Sequence, residues 1–463
     1  MTTLVNVGVS ARLKALAGLD IHVLNTLLFR FWSILAGGIS IVLISVFLSP
    51  TQQGFYYTFA SILALQVFFE LGLNQVIIQL VSHDVAHLTI LDDGKVSGDA
   101  ARIHRLNGLV SLLRRWYAFA ALLFVVLVGG AGWMFFVAKG GDLLVEQWGA
   151  AWVVLVLFTS INLFLSPRLT VIEGTGQVGA VARLRLMQSM VGYGFMWTLL
   201  ILGMGLWAAI ALPVVCAIAT SLWLRRRGGM FNQPPTGKIL DFEPISWRRD
   251  VFPLQWRIAI SWACGYVIFS LFTPIVFASH GSVEAGRLGM AMTVFGAITS
   301  LGLSWINAKA PNFTMHIARG ESTALNRLFK AVALRSIAAT AMPSFVIVTL
   351  VALGMYYDIK LANRIVSAGT LFWIACAATA NTAIYAAAVY MRAHREEPML
   401  PVSLVSALLM FAVFILLRDD VSRMMLGYAA ISVCVSLPWT FLLYRCYRAR
   451  HCLLPLMKTQ GFH

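Results

Sequence analysis

The chain has 463 residues, of which 59% are hydrophobic and only 12% charged, and its mean hydropathy is +0.81. A composition this apolar excludes a water-soluble globular domain and leaves a polytopic membrane protein. The formal charge of +16 is spread over many short connections instead of one patch interleaved with aromatics, so it points to anionic lipid headgroups as partners and away from nucleic acid.

The opening stretch MTTLVNVGVSARLKALAG carries basic residues but no apolar run before residue 24 and no small-residue cleavage site, so no removable signal peptide is expected. Apolar runs of about 20 residues, the length that crosses a hydrocarbon core of about 30 Å, then predict twelve spans. They fall near 25–49, 54–80, 113–137, 148–167, 184–203, 205–224, 253–278, 286–309, 331–355, 364–390, 399–417 and 424–444. All are expected to be helical, because lipid offers backbone groups no other partner. Among the 35 Lys and Arg, six (Lys139, Arg287, Lys360, Arg364, Arg418, Arg423) fall on one side of this layout and Arg30 lies inside the first span. The remainder fall on the other side, and the positive-inside rule makes that side cytoplasmic, with both termini there.

The longest connections, 81–112, 225–252 and 310–330, are all on the cytoplasmic side, and no outer loop exceeds about ten residues. RRRGGMFNQPPTGKILDFEPISWRRD, the middle one, is rich in Arg, Pro and Gly and reads as a linker between halves 1–235 and 236–463. The halves resemble each other: residues 47–79 align without gaps onto 277–309, matching Gly54 to Gly286 and ELGL to SLGL. Six spans in each half is an even number, so both copies share one orientation and form a parallel repeat about an axis normal to the membrane. The expected fold is therefore all-α, with about twelve transmembrane helices in two six-helix lobes related by a pseudo-two-fold. A cavity between such lobes opens to either side by rocking.

A first span ending in LSP, then G-x-Y-Y, then a second span closing on FFELGLNQ resembles the start of polysaccharide flippases of the Wzx type, in the multidrug/oligosaccharidyl-lipid/polysaccharide superfamily. The resemblance implies a twelve-helix transporter that moves undecaprenyl-pyrophosphate-linked oligosaccharide, the repeat unit of O-antigen, capsule or exopolysaccharide, from the cytoplasmic to the outer leaflet. It further implies residence in the cytoplasmic (inner) membrane, and polysaccharide polymerase and chain-length machinery as neighbours. No cofactor follows from it, and coupling to a proton or sodium gradient stays open.

Glu70 stands in an otherwise apolar span. It lies 16 residues from Gly54, about 24 Å along a helix, and Arg30 lies 19 residues before Ser49, about 28 Å from the same face. The two residues therefore share a depth at which an unpaired charge is costly, so Glu70 either pairs with Arg30 or titrates. Arg30 and Arg257 both begin the first span of their half. Two readings stand for them, namely bidentate contact with a lipid pyrophosphate and snorkelling to the interface. Polar residues within spans (Gln66, Asn74, Gln75, Asn162, Gln188, Gln255, Asn307, Asn381) either line a wet cavity or bond helix to helix.

EGTGQVG supplies Gly174, Gly176 and Gly179 in a G-x-G-x-x-G pattern, but membrane spans flank it where a dinucleotide site needs a βαβ unit. It reads as a cytoplasmic turn across which Arg168 and Glu173 are expected to pair. His83 and His87 in HDVAH have a metal-like spacing with only Asp84 nearby, and read as a solvated helix end. The six cysteines have no metal spacing. No metal site is expected.

A membrane glycosyltransferase or ligase needs acid/base or metal-binding residues on an extramembrane domain, for which the chain has no room, so no enzyme is expected. The competing transport readings are a cation-coupled multidrug exporter and a peptidoglycan-precursor flippase of the same superfamily. Two intramembrane arginines against one carboxylate favour an anionic cargo over a cationic one.

Overall fold

The computed structural model describes residues 21–70, 72–85, 88–90, 96–226, 252–394 and 398–459. Among them, twelve helical segments coincide with the twelve expected spans. The first six are α1 (Ile21–Phe47), α2 (Pro50–Leu63, Ala64–Gln66, Val67–Glu70 and Leu73–Val85), α3 (Ala100–Phe124 continuing to Lys139), α4 (Val145–Gly174), α5 (Val178–Ile201) and α6 (Gly205–Ile210 with Ala211–Arg226). The others are α7 (Phe252–Phe269 and Phe272–His280), α8 (Ser282–Ala318), α9 (Ser322–Tyr356), α10 (Ala368–Arg392), α11 (Leu400–Leu416) and α12 (Val421–Ala430 continuing to Thr459). Among the described residues eight helices are long and apolar enough to cross a membrane on length and composition, the construction of a multi-pass membrane protein. An antiparallel pair, β1 (Leu88–Ile90) and β2 (Val96–Gly98), lies in the 81–112 connection, where no strand was expected.

Local chemistry explains the boundaries. In LSPTQQ, Ser49 caps α2, Pro50 occupies the first turn and Gln52 returns the capping bond to the Ser49 amide, so the LSP motif is a helix start. The side chains of Ser367 and Asp420 cap α10 and α12 by accepting from first-turn backbone N–H groups. The second span, expected as one helix, is broken: a tight turn at Ala64–Gln66 precedes Val67–Glu70, and Gly72 follows with φ of 67°. That backbone conformation is open to glycine and strained for other residues, so ELGL ends one helical piece directly after Glu70.

The chain forms two compact units. The first comprises residues 1–43, 66–135 and 144–258, the second 44–65, 136–143 and 259–463. The expected boundary at 235 lies outside the described residues. In the first unit Trp197 of α5 donates to Ser40 of α1 at 2.9 Å, and Trp152 of α4 donates to the Gly129 carbonyl of α3 at 3.1 Å. In the second unit, the start of α2 lies against α8 at Gly54 and Gly286, the positions that the internal alignment pairs. A Cβ on Gly286 would stand 2.8 Å from the Gly54 nitrogen. Gln53, 1% exposed, donates to the carbonyls of Gly286 (3.0 Å) and Arg364 (3.1 Å), and Ser282 donates to Asp142 at 2.5 Å. Phe55, Phe59, Phe136 and Phe277 pack edge-on and stacked beneath them.

The orientation predicts that single cysteines near 51, 142, 358 and 420 react with an impermeant maleimide in intact cells and one near 235 only after lysis. The side chains of Tyr356 and Tyr357, 82% and 71% exposed, make that turn the most informative position. The reverse pattern contradicts the orientation.

Candidate functional site

The first unit holds a cavity of about 440 Å³ between α2, α4, α5 and α6, a size in the range of pockets that enclose small ligands, about 300–1,000 Å³. Gln66, Glu70 and Asn74, spaced by four along α2, form one wall. Gln66 donates to one oxygen of the Glu70 carboxylate at 2.5 Å, and Asn74 donates to the other at 3.3 Å. The Asn74 oxygen in turn accepts from Thr170 (3.1 Å), Ser166 (3.4 Å) and Tyr117 (3.4 Å). The carboxylate thus ends a hydrogen-bonded chain from α3 and α4 to α2, and each link satisfies a polar group that the apolar surroundings would otherwise penalise.

The opposite wall is stitched in the same way. Asn162 of α4 donates to the carbonyls of Phe158 (2.9 Å) and Pro213 (2.8 Å), tying α4 to α6. Gln188 of α5 donates to the Cys216 carbonyl (3.1 Å) and to the Thr220 hydroxyl (2.7 Å) of α6. At the end of α4, Glu173 pairs with Arg185 of α5 at 2.9 Å across the turn that holds Gly176. This corrects the expected Arg168–Glu173 pair. Five residues along a helix rotate the side chain by about 140°, whereas α5 returns alongside α4 and presents Arg185 to it. Arg168 instead lies over the Phe164 ring, 5.1 Å from its centre.

Glu70, Gln66, Asn74 and Asn162 therefore come together around one cavity, and Gln188, read in sequence only as a polar residue in a span, joins them. Gln255 is buried, at 3% exposed. In the second unit Asn307 accepts from Tyr385 at 3.4 Å and Asn381 donates to Tyr428 at 2.8 Å, which makes both helix-to-helix links. Arg30, Gln75 and Arg257 occupy helical positions, but their side chains lie outside the described residues, and so do those of His83, Asp84 and His87. The Arg30–Glu70 pairing falls among them. Sequence reasoning missed Thr159, Ser166, Thr170 and Thr220: Thr159 and Thr170 return a bond to their own helix, Ser166 and Thr220 bond to a side chain of a neighbouring helix, and neither use leaves a periodic signal in an apolar run.

No protein-family model matches the chain, and no curated protein matches it. Solved structures do. An inward-facing multidrug resistance MATE family transporter of the MOP superfamily aligns over 91% of this chain and 96% of its own, at 15% identity and a TM-score of 0.56. The lipid II flippase MurJ in an inward closed conformation aligns over 96% and 93%, at 11% identity and 0.56. The eukaryotic MATE transporter AtDTX14 aligns over 93% and 100%, at 13% identity and 0.54. The chain therefore has the all-helical fold shared by these MOP superfamily transporters.

Proposed function

We propose that the chain is a flippase that carries undecaprenyl-pyrophosphate-linked oligosaccharide from the cytoplasmic to the outer leaflet by alternating access, in the cytoplasmic membrane with both termini inside. The observation that carries this reading is the lining of the cavity: four carboxamides and four hydroxyls beside the Glu70 carboxylate and the Glu173–Arg185 pair, and no aromatic ring among the described lining residues. Amides and hydroxyls match the hydroxyl groups of a glycan, whereas flat cationic drugs are held by aromatic faces. The short outer loops and basic cytoplasmic connections fit a cargo that arrives on the inner leaflet. A lipid II flippase would share this chemistry, and MurJ shares the fold.

A cation-coupled exporter is the second reading, and Glu70 is the observation that favours it. In the flippase reading the same carboxylate serves as the coupling group for a proton or sodium ion, and polymerase and chain-length proteins receive the product.

Arginine variants test the proposal. Arg30→Ala and Arg257→Ala should each impair glycan export while the protein accumulates normally, since the pyrophosphate loses a charge-assisted bond of about 1.5–3 kcal/mol. Arg30→Lys should restore export only in part, because a point charge does not reproduce the guanidinium fork. Normal export by both alanine variants would reduce these arginines to snorkelling residues.

A further inference from the structure

The hydrogen-bond inventory of the cavity is lopsided. Both N–H groups of Asn162 are spent on backbone carbonyls, and those of Gln188 on a carbonyl and a hydroxyl. Because a carbonyl only accepts, these bonds fix which way each amide points and leave its oxygen as the unspent group. The hydroxyl protons of Thr159 and Thr170 are likewise spent on Leu155 and Ser166 carbonyls and on Asn74. The amide oxygens of Asn162 and Gln188 and the remaining lone pairs of Glu70 are unspent acceptors, set against fewer neutral donors, the second N–H of Gln66 and the hydroxyl proton of Thr220, and the further N–H groups of the Arg185 guanidinium that Glu173 already neutralises.

The charges agree with this inventory. Among the described lining residues Arg185 is the single cation, and Glu173 already holds it at 2.9 Å, which leaves the Glu70 carboxylate in excess. A pairing of Arg30 with Glu70 would bring the sum to zero and still leave no positive excess. An incoming carboxylate or phosphate would meet acceptors and a like charge in a partly desolvated space, where repulsion is far stronger than in water.

We propose that this cavity takes uncharged, donor-rich sugar units and rejects acidic ones, so that glycan selectivity is set by α2, α4, α5 and α6 while the pyrophosphate is held elsewhere. Ring hydroxyls and acetamido N–H groups donate into the unspent oxygens, and sugars bearing an uronic acid are excluded by Glu70. The proposal rests on the flippase reading and adds to it a selection among glycans.

The test uses the full-length protein in lipid nanodiscs, with two disaccharides titrated by saturation-transfer NMR: neutral N,N′-diacetylchitobiose and the acidic hyaluronan disaccharide. The neutral probe should bind about tenfold or more tightly than the acidic one. In Glu70→Gln the gap should shrink to about threefold or less, chiefly by a gain for the acidic probe. Should that variant fail to accumulate, raising the ionic strength in the parent protein should narrow the gap through screening. Equal or tighter binding of the acidic disaccharide would overturn the selectivity and leave the flippase reading standing. Binding of neither disaccharide would remove the sugar reading itself. A gap that neither the variant nor salt narrows would take the selection away from this cavity.

Discussion

Glu70→Gln is expected to accumulate at close to the parent level and to transport about tenfold more slowly, a rise of about 1.4 kcal/mol in the effective barrier, or to lose its dependence on the ion gradient. The folded state tolerates the change because one bond is kept outright. Asn74 is oriented by three hydroxyls on its oxygen, so its N–H still meets the new carbonyl oxygen. Gln66 needs only to turn its amide to accept from the new N–H group, a rearrangement that costs on the order of 1 kcal/mol. What is lost is the ability to take and release a proton or to bind a cation. If instead Glu70 serves only to neutralise Arg30, the single variant strands a buried guanidinium and protein levels fall, and Arg30→Gln with Glu70→Gln restores them. Immunoblot levels and gradient-dependent export, measured on the single and double variants, separate the two roles.

Gly54→Ala carries the largest expected effect on stability. A Cβ at Gly54 would overlap the backbone of Ser282, and one at Gly286 would stand 2.8 Å from the Gly54 nitrogen and 3.0 Å from its Cα. Backbone cannot move aside as a side-chain tip does, so the cost exceeds the about 1–3 kcal/mol usual for overpacking. The separation of α2 from α8 would also break the bonds of Gln53 to the Gly286 and Arg364 carbonyls. A lowered melting temperature of the purified protein, with loss of monodisperse material, is the expected result for either substitution. Gly296→Ala, on the same helix α8 as Gly286 but with no atom within 4 Å of its added methyl, should melt at or slightly above the parent temperature, since alanine favours helix over glycine. Equal stability of Gly54→Ala and Gly296→Ala would mean that the close approach is not needed.

The twelve spans were legible because lipid demands long apolar runs, a constraint that composition alone reveals. Glu70 was legible for the same reason in reverse: a carboxylate inside such a run has to be accounted for. The partners of these groups were not legible. Whether Glu173 meets Arg168 or Arg185 depends on how far the chain rotates through the turn at Gly176, and apolar periodicity does not report that angle. The break after Glu70 depends on a single glycine φ. Gly54 and Gly286 were visible as equivalent positions of a repeat, yet nothing in the alignment said that the two would touch. The cavity walls escaped for a further reason. Asn162 and Gln188 were recognisable as polar residues in spans, but only geometry tells that their N–H groups are spent on neighbouring helices and their oxygens are not.

Reconstitution into vesicles separates a flippase from an exporter. Vesicles containing the purified full-length protein and a fluorescent polyprenyl-pyrophosphate disaccharide built from neutral sugars, confined to one leaflet, are probed with a glycosidase that reaches only the opposite leaflet. A flippase makes the glycan accessible across the bilayer, and Glu70→Gln slows this. Immobile glycan in vesicles that nevertheless expel a cationic dye would contradict it and identify the exporter instead.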